Sequence, residues 1–569
     1  MHAMASGRQS KGPRHPSRTT GAQIVAAQMA DQSRTNTLTR IGIAVLLAAV
    51  VALVCVVRIR LAGLPLERDE GEYAYAGQLI LKGIPPYAAI YNMKFPGLYY
   101  AYAAMMAVFG QTATGVRIGL LLVHVVSLAL LYVWARRVAG ELVAGIGTAV
   151  FALLALDRWS MGVFAHATHF VVLFVLAGLV VLQDGRRPWR LALSGLMFGL
   201  AIVMKQQAIP FAVLGIALAM RGGESLWSRD AIRRGVIVAA GVVVSLLGLV
   251  AVMAVQGVFG QFWHWTFEYA AAYVSTTPLS MAPAIFSMAW GYVTLATGWW
   301  WYLGLMGVVF LVVTGWSSDS RGALIGLLAA AALAIVPGYF FRPHYFILAM
   351  PAIALLAGVT FASADRMFAR SMKAGTARVL TLTLVAAVAA IQVGRDWRFL
   401  FQMSPTEVIR AVYETNPFLE APEIGRYLRA HTGPDDRIAV LGSEPEVLFY
   451  ADRPSATGYI YMYPLTERQP FADEMRQELM QDLQRVKPRY LVFVDSGTSW
   501  VANLQPDTRL ITWANNFASA CYERVGIVDL DPAGASTIHW DAAQVGYQPR
   551  FQTKVSILRR TEAAGCAAP

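Results

Sequence analysis

Long runs of apolar residues recur between positions 41 and 394, separated by short polar segments. Because an α-helix needs about 20 apolar residues to cross a bilayer, these runs have the length of membrane spans. The chain is therefore predicted to be a polytopic α-helical membrane protein. About eleven spans are predicted, near 41–59, 115–134, 140–156, 166–183, 190–205, 207–220, 232–256, 291–314, 321–337, 344–363 and 376–394.

The composition agrees with a membrane protein. Of the 569 residues, 56% are hydrophobic and 14% are charged, whereas an average soluble domain has about 25% charged residues. A very large soluble core is the alternative, but soluble chains of this length divide into domains with more polar surface. The net charge is +12, and the arginines cluster in short loops between apolar runs, as in cytoplasmic loops. Nucleic acid is therefore not a predicted partner.

The distribution of basic residues predicts the orientation of the chain. Residues 1–40 are polar and rich in arginine, which predicts a disordered cytoplasmic tail. Cytoplasmic loops carry an excess of lysine and arginine, and the basic loops fall on the side of this tail if the spans alternate. The transmembrane region, 41–394, then has its first long loop, 60–114, on the outer side. The segment 395–569 is predicted to be extracytoplasmic as well.

Residues 395–569, called the C-terminal domain below, contain two kinds of segment. Short apolar runs bounded by turn residues are typical of buried strands, and longer segments have helical patterns. The strands are predicted at 437–442 and 489–494, and the helices at 421–431 and 466–486. Their alternation predicts an α/β domain. Cys521 and Cys566 both lie in it and are predicted to pair if it faces an oxidising compartment.

The first outer loop carries a group of charged residues. Asp69 and Glu70 follow the first predicted span, and Lys94 precedes a phenylalanine and a proline. A carboxylate can act as a base toward an acceptor hydroxyl, and a lysine neutralises phosphate as a point charge. These residues therefore fit a site where a charged lipid head group reacts. A solvated juxtamembrane loop fits the same spacing, and both interpretations remain open.

The order Asp69, Glu70, Tyr73 and Lys94-Phe-Pro resembles the first periplasmic loop of GT-C fold glycosyltransferases. The branch that contains aminoarabinose transferases and protein O-mannosyltransferases is the most similar. The resemblance covers roughly residues 41–360. It implies a multi-pass glycosyltransferase of the bacterial inner membrane that takes its sugar from a polyprenyl phosphate and inverts the anomeric configuration.

The resemblance also implies roles for individual residues. Asp69 would be the general base, Glu70 would orient it or contribute to a cation site, and Lys94 would bind the donor phosphate. Met93 stands where the family has an acidic residue, which weakens any metal site built there. A later segment resembles a basic-aromatic motif that contacts the donor phosphate, although an interfacial anchor is the alternative. Its members are Arg342, His344 and Tyr345.

Five further residues are candidates for a second site or for substrate contacts. His166 and His169 share a helix face if a span begins there, and histidine is a common metal ligand; simple packing is the alternative. Lys205 is a lone charge in an apolar run, which indicates either a function or snorkelling to the interface. Asp157 lies at the mouth of the histidine-containing loop. Glu268 lies in an aromatic loop whose tryptophans would stack on a sugar or form an interfacial belt.

Together these features predict an enzyme that moves a sugar from a polyprenyl-phosphate donor to a hydroxyl of a glycan, lipid or protein acceptor. No cofactor is assigned; a divalent cation is a candidate, with Asp69 and His169 as ligands. A transporter or flippase of lipid-linked substrates is one alternative, but it needs charged residues at the midplane of several spans. Apart from Lys205, the predicted spans have few. A non-catalytic membrane scaffold is the other alternative.

Overall fold

The computed structural model describes residues 21–183, 185, 187–221, 225, 227–500 and 507–561, without the side chains of 21–32 and 34. The helices up to residue 395 are α1 (Gly21–Arg60), α2 (Arg68–Leu81), α3 (Gly97–Phe109), α4 (Ala113–Ala139), α5 (Glu141–Leu154), α6 (Ala167–Leu182), α7 (Pro188–Met204), α8 (Ile209–Arg221), α9 (Arg229–Val255), α10 (Phe259–Trp263), α11 (Ala270–Val274), α12 (Ala282–Val313), α13 (Ser318–Ile335), α14 (Met350–Phe368) and α15 (Ala374–Arg395).

Every predicted span coincides with one of these described helices, and α2, α3, α10 and α11 lie in the loops between the spans. Within the described residues, six helices, α1, α4, α9, α12, α13 and α15, are long and apolar enough to cross a membrane. The protein is therefore a polytopic helical membrane protein. The predicted disordered tail, 1–40, differs from the structure over residues 21–40, which are helical because α1 begins at Gly21. Residues 1–20 lie outside the described residues.

The centre of the helical bundle is formed by α5 and α14, which are buried along most of their length. They pack against each other, and α14 also packs against α12. A glycine allows the closest approach, because a Cβ atom on Gly307 of α12 would lie 2.0 Å from the carbonyl oxygen of Leu356 in α14. Small residues permit such close helix packing in membranes.

The C-terminal domain combines helices with one mixed sheet. Its elements are α16 (Pro405–Tyr413), α17 (Ala421–His431), β1 (Ile438–Leu441), α18 (Pro445–Ala451), α19 (Tyr463–Thr466), α20 (Ala472–Val486), β2 (Tyr490–Asp495), α21 (Gly497–Trp500), α22 (Arg509–Cys521), β3 (Tyr522–Asp529), β4 (Thr537–Trp540) and β5 (Lys554–Arg560). The strand order is β1-β2-β5-β3-β4. The two predicted strands are β1 and β2, which pair in parallel, while β5 pairs antiparallel to β2 and β3. Cys521 is buried and Cys566 lies outside the described residues, so their pairing stays a prediction.

The C-terminal domain is attached to the helix that carries Asp69. Helix α2 packs against α18, and a Cβ atom on Gly71 would lie 2.6 Å from the Cβ atom of Glu446. The backbone N–H of Ser455 donates a hydrogen bond to the Tyr75 hydroxyl at 2.8 Å. Arg68 forms an ion pair with Glu444 at 2.9 Å. Residues far apart in the chain therefore meet along α2.

Candidate active site

Helix α2 begins with a reciprocal cap that fixes its first turn. The Glu67 side chain accepts the backbone N–H of Glu70 at 2.9 Å, and the Glu70 side chain lies 3.3 Å from the backbone nitrogen of Glu67. Such a capping box satisfies two backbone donors at a helix start. It places Asp69 in the first turn, where Glu72 and Tyr73 follow on the same helix face at the i+3 and i+4 positions.

Lys94 lies across this face of α2. Its Nζ atom is 2.8 Å from Asp69 Oδ1 and 2.6 Å from Glu72 Oε2, and it lies 4.6 Å from the ring centroid of Tyr73. The backbone near the lysine is also held, because the Tyr87 hydroxyl donates to the Lys94 carbonyl oxygen at 2.6 Å. The acid and the lysine that the sequence singled out are therefore in direct contact.

The Asp69–Lys94 pair lines a cavity of about 760 Å³. The cavity is also lined by the other three residues predicted to bind the donor phosphate, by the second-site candidate Lys205 and by tyrosines of the C-terminal domain. These are Lys205, Arg342, His344 and Tyr345 from the helical region, and Tyr459, Tyr461 and Tyr463 from the C-terminal domain. Lys205 lies 4.1 Å from the ring centroid of Tyr345. The cavity therefore has a cationic wall beside the carboxylates.

Burial and neighbouring charges shift the pKa values of Asp69 and Lys94 in opposite directions. Burial alone would raise the pKa of Asp69, but the charge interactions with Lys94, His344 and His166 and the hydrogen bond from Lys94 together hold that pKa well below its usual range. Burial alone would lower the pKa of Lys94, but Asp69 and Glu72 hold it well above its usual range. Burial raises the pKa of Glu72 despite its contact with Lys94. At neutral pH the carboxylate of Asp69 and the ammonium of Lys94 are both charged.

A set of metal-ligand atoms lies beside the pair. Ligand atoms of Asp69, His166 and His344 all lie within 4.8 Å of one another, with His166 Nδ1 3.8 Å from Asp69 Oδ2. Among the described residues, neither ring nitrogen of His166 has a hydrogen-bond partner. One carboxylate with two imidazoles is a donor set that suits Zn²⁺. The residues therefore fit a divalent cation, with His344 in place of the predicted His169, which is not part of this set.

Four candidates lie away from this group. Glu70 pairs with Arg117 rather than facing the cavity, and Asp157 accepts the backbone N–H of Ser160 at 2.8 Å. Glu268 is half exposed and pairs with His264 at 2.9 Å. His169 is buried and is not among the residues that line the cavity.

Sequence reasoning missed several residues of the cavity. Glu72 lies between Glu70 and Tyr73 in the sequence but received no role. Tyr459, Tyr461 and Tyr463 alternate along one segment of the C-terminal domain, which is a detectable pattern. Nothing in their spacing indicated that this segment lies against α2, since the hydrogen bond from Tyr461 to Glu72 joins residues 389 positions apart.

Part of the chain matches a known protein family. Residues 94–255 match the family described as dolichyl-phosphate-mannose-protein mannosyltransferase, so the matched segment begins at Lys94. No curated protein matches the chain.

Two solved structures are similar over most of the chain. ArnT from Cupriavidus metallidurans bound to undecaprenyl phosphate has a TM-score of 0.54 at 15% identity, over 92% of this chain and 99% of that chain. The apo oligosaccharyltransferase of Archaeoglobus fulgidus has a TM-score of 0.52 at 10% identity, over 87% of this chain and 74% of that chain.

Both solved structures are GT-C fold glycosyltransferases, and this chain has the GT-C fold. The predicted fold and the resemblance to the aminoarabinose transferase and protein O-mannosyltransferase branch are thereby confirmed. At these identities the similarity shows the fold, and a shared fold does not by itself define the reaction.

Proposed function

We propose that the protein transfers a sugar from a polyprenyl-phosphate-linked donor to a hydroxyl group of an acceptor, with inversion at the anomeric carbon. The observation that carries this proposal is the contact between Asp69 and Lys94, with 2.8 Å between Oδ1 and Nζ, in a cavity that Arg342 also lines. A base and a phosphate-binding cation have to lie within one substrate length of each other for this reaction. Support also comes from ArnT, whose structure holds undecaprenyl phosphate.

In the proposed reaction the acceptor oxygen attacks the anomeric carbon while the bond from that carbon to the phosphate oxygen breaks. Asp69 takes the acceptor proton, and polyprenyl phosphate leaves with the electron pair. Lys94 and Arg342 stabilise the negative charge that develops on the leaving phosphate, which is often the largest single contribution to catalysis. Attack from the side opposite the phosphate inverts the configuration.

The charges of the cavity support binding of an anionic donor. Lys94 and Arg342 supply two positive charges and Lys205 supplies a third when it is protonated, while Asp69 and Glu72 supply two negative charges when ionised. The negative charge of the donor phosphate therefore has cations to pair with, and a buried charge needs such partners. An arginine is suited to this task because its planar fork binds two phosphate oxygens at once.

A divalent cation held by Asp69, His166 and His344 would add positive charge next to the donor phosphate. Asp69 presents different oxygens to Lys94 and to the histidines, since Oδ1 lies 2.8 Å from Lys94 Nζ and Oδ2 lies 3.8 Å from His166 Nδ1. The protein residues perform the proton transfer and bind the phosphate in either case.

We further propose that the chain lies in the bacterial inner membrane with its N-terminus in the cytoplasm and its C-terminal domain outside. Arg378 contacts Thr39 near one end of the apolar part of α1, and Arg60 donates to the carbonyl oxygen of Met403 at 2.8 Å at the other end. This stretch of α1 is roughly 33 Å long, close to the thickness of a bilayer core. The two ends of this stretch can therefore lie on opposite sides of the membrane. The basic loops support a cytoplasmic location for the end near Thr39.

The proposal is tested with purified protein in liposomes that contain undecaprenyl phosphate carrying a radiolabelled sugar, with a cell-envelope extract as acceptor. Loss of label from the lipid, with release of undecaprenyl phosphate, is the expected result. Movement of intact labelled lipid across the bilayer without release would instead support a flippase. If folded protein causes neither release of undecaprenyl phosphate nor movement of the labelled lipid, the result would support a scaffold. Which sugar is transferred is read from a panel of labelled donors.

A further inference from the structure

Glu72 is a buried carboxylate that three donors surround. Its side chain has no exposed surface. The Tyr99 hydroxyl donates to Oε1 at 2.5 Å, and the Tyr461 hydroxyl and the Lys94 ammonium donate to Oε2 at 2.8 and 2.6 Å. A buried carboxylate is costly unless such partners satisfy it. The proposed reaction assigns no proton transfer to Glu72, so its contacts call for another explanation.

The three donors come from three separate parts of the chain. Lys94 belongs to the loop before α3, Tyr99 to α3 itself, and Tyr461 to the C-terminal domain. Tyr461 is 3% exposed, and its hydroxyl also lies 3.1 Å from the carbonyl oxygen of Arg68. Its ring centroid is 5.6 Å from Lys94 Nζ. One carboxylate therefore connects α2, α3 and the C-terminal domain at the lysine.

A lysine has a long flexible side chain, and holding it in place before a ligand arrives lowers the entropy cost of binding. If Asp69 were the only carboxylate in contact with Lys94, the ammonium would be fixed by the proposed base alone. Glu72 supplies a second anchor, whose side chain is completely buried. An ammonium group has three hydrogens, and Glu72 and Asp69 together accept two of them.

We propose that Glu72 and Tyr461 are positioning residues that hold Lys94 for the donor phosphate, so that the C-terminal domain forms part of the donor site. This inference rests on the proposed function, because it assigns Lys94 to a polyprenyl phosphate. It gives the C-terminal domain a role in donor binding in addition to any contact with the acceptor.

The test measures equilibrium binding of undecaprenyl phosphate to the full-length protein in detergent by native mass spectrometry. Tyr461→Phe removes one hydroxyl and retains the ring. It is expected to weaken binding about tenfold, the lower end of the effect of one buried hydrogen bond to a charged group. Combined with Lys94→Ala, it is expected to cause no further loss, because a residue that acts through Lys94 has no effect without it.

Tyr75→Phe is the matched control. It also removes a tyrosine hydroxyl that joins α2 to the C-terminal domain, through the backbone N–H of Ser455, but Tyr75 is not among the residues that line the cavity. Undecaprenyl phosphate affinity should stay unchanged in this variant. Thermal melting of both single variants shows whether each remains folded.

The outcomes separate the inference from the proposed function. Equal losses of affinity in Tyr461→Phe and Tyr75→Phe would overturn the inference, because they would indicate a general effect of domain attachment. Additive losses in the double variant with Lys94→Ala would overturn it as well. Failure of the wild-type protein to bind undecaprenyl phosphate would contradict the proposed function, and the inference would fall with it.

Discussion

The carboxylate of Glu70 lies 2.5 Å from the guanidinium of Arg117, and both side chains are almost completely buried. The other oxygen of Glu70 accepts the backbone N–H of Ala165 at 2.6 Å. This ion pair joins the start of α2 to α4 and to the segment before α6. Adjacent acidic residues therefore have different environments, because Asp69 faces the cavity and Glu70 faces the protein interior.

Glu70→Ala is predicted to destabilise the protein strongly, by about 3–5 kcal/mol, because Arg117 would keep a buried charge without its partner. Thermal melting in detergent measures this effect, with Asp69→Asn as the comparison. A normal melting temperature in Glu70→Ala, together with complete loss of transfer, would contradict the structural role and indicate a catalytic one.

The stability of the C-terminal domain is predicted to depend on pH through Glu467. Burial raises the pKa of this carboxyl group to about 7, although the nearby Arg342 opposes the shift. Because the folded pKa lies above the unfolded value, the stabilising contribution is complete below about pH 4.5 and is lost as the pH rises through 7. One pKa unit is about 1.4 kcal/mol, so the loss at pH 8 is at most about 3 kcal/mol.

Glu467→Gln should therefore lose less thermal stability than the wild type between pH 5 and pH 8. The exposed Glu474 of the same domain is the matched control, and Glu474→Gln should keep the wild-type pH dependence. Identical melting curves for Glu467→Gln and the wild type at every pH would show that this carboxyl group does not titrate as inferred.

The helical fold could be predicted from the sequence because each membrane span is visible as a run of apolar residues of the required length. All eleven predicted spans coincide with described helices. The Asp69–Lys94 contact was predictable because both residues belong to one recognisable loop. The role of Glu72 was not, since Tyr461 reaches it from 389 residues away. Contacts between side chains that are so far apart in the sequence depend on how the domains pack. A local sequence pattern does not predict that packing.

The candidate cation site could also be predicted only in part from the sequence. His166 and His169 were paired by their i, i+3 spacing, which reports a shared helix face and nothing about what that face contacts. The structure instead stacks the ring of His166 on that of His344, with centroids 4.2 Å apart. The segment around His344 begins after a separate predicted span, so its approach to His166 follows from the packing of the helices.

Removal of either histidine of this site is predicted to lower the content of bound divalent cation. His166→Ala and His344→Ala should each retain less than about a tenth of the zinc that the wild type binds, because each would supply one of three ligands. His169→Ala is the matched control and should bind the wild-type amount. Elemental analysis of purified protein after zinc loading measures all three, and unchanged zinc in His344→Ala would contradict the site.

Lys94→Ala is predicted to raise the donor KM and to lower kcat, with a combined loss in kcat/KM of about 100-fold, because the lysine contacts phosphate in both the bound and the leaving state. Lys82→Ala is the control, since Lys82 is exposed and pairs with Asp452 at the surface. Steady-state kinetics with undecaprenyl-phosphate sugar measure both variants. A normal kcat/KM in Lys94→Ala would remove the lysine from the donor site.

The central claim is that Asp69 is the base for sugar transfer from a polyprenyl phosphate. The most direct test compares the initial rate of undecaprenyl phosphate release by Asp69→Asn and by the wild type, with the exposed variant Glu268→Gln as control. A base contributes about 10²–10⁴-fold to such a rate. The predicted result is a loss of at least about 100-fold in Asp69→Asn, with bound undecaprenyl phosphate and folding retained and Glu268→Gln at the wild-type rate. A wild-type rate of release in Asp69→Asn would contradict the claim.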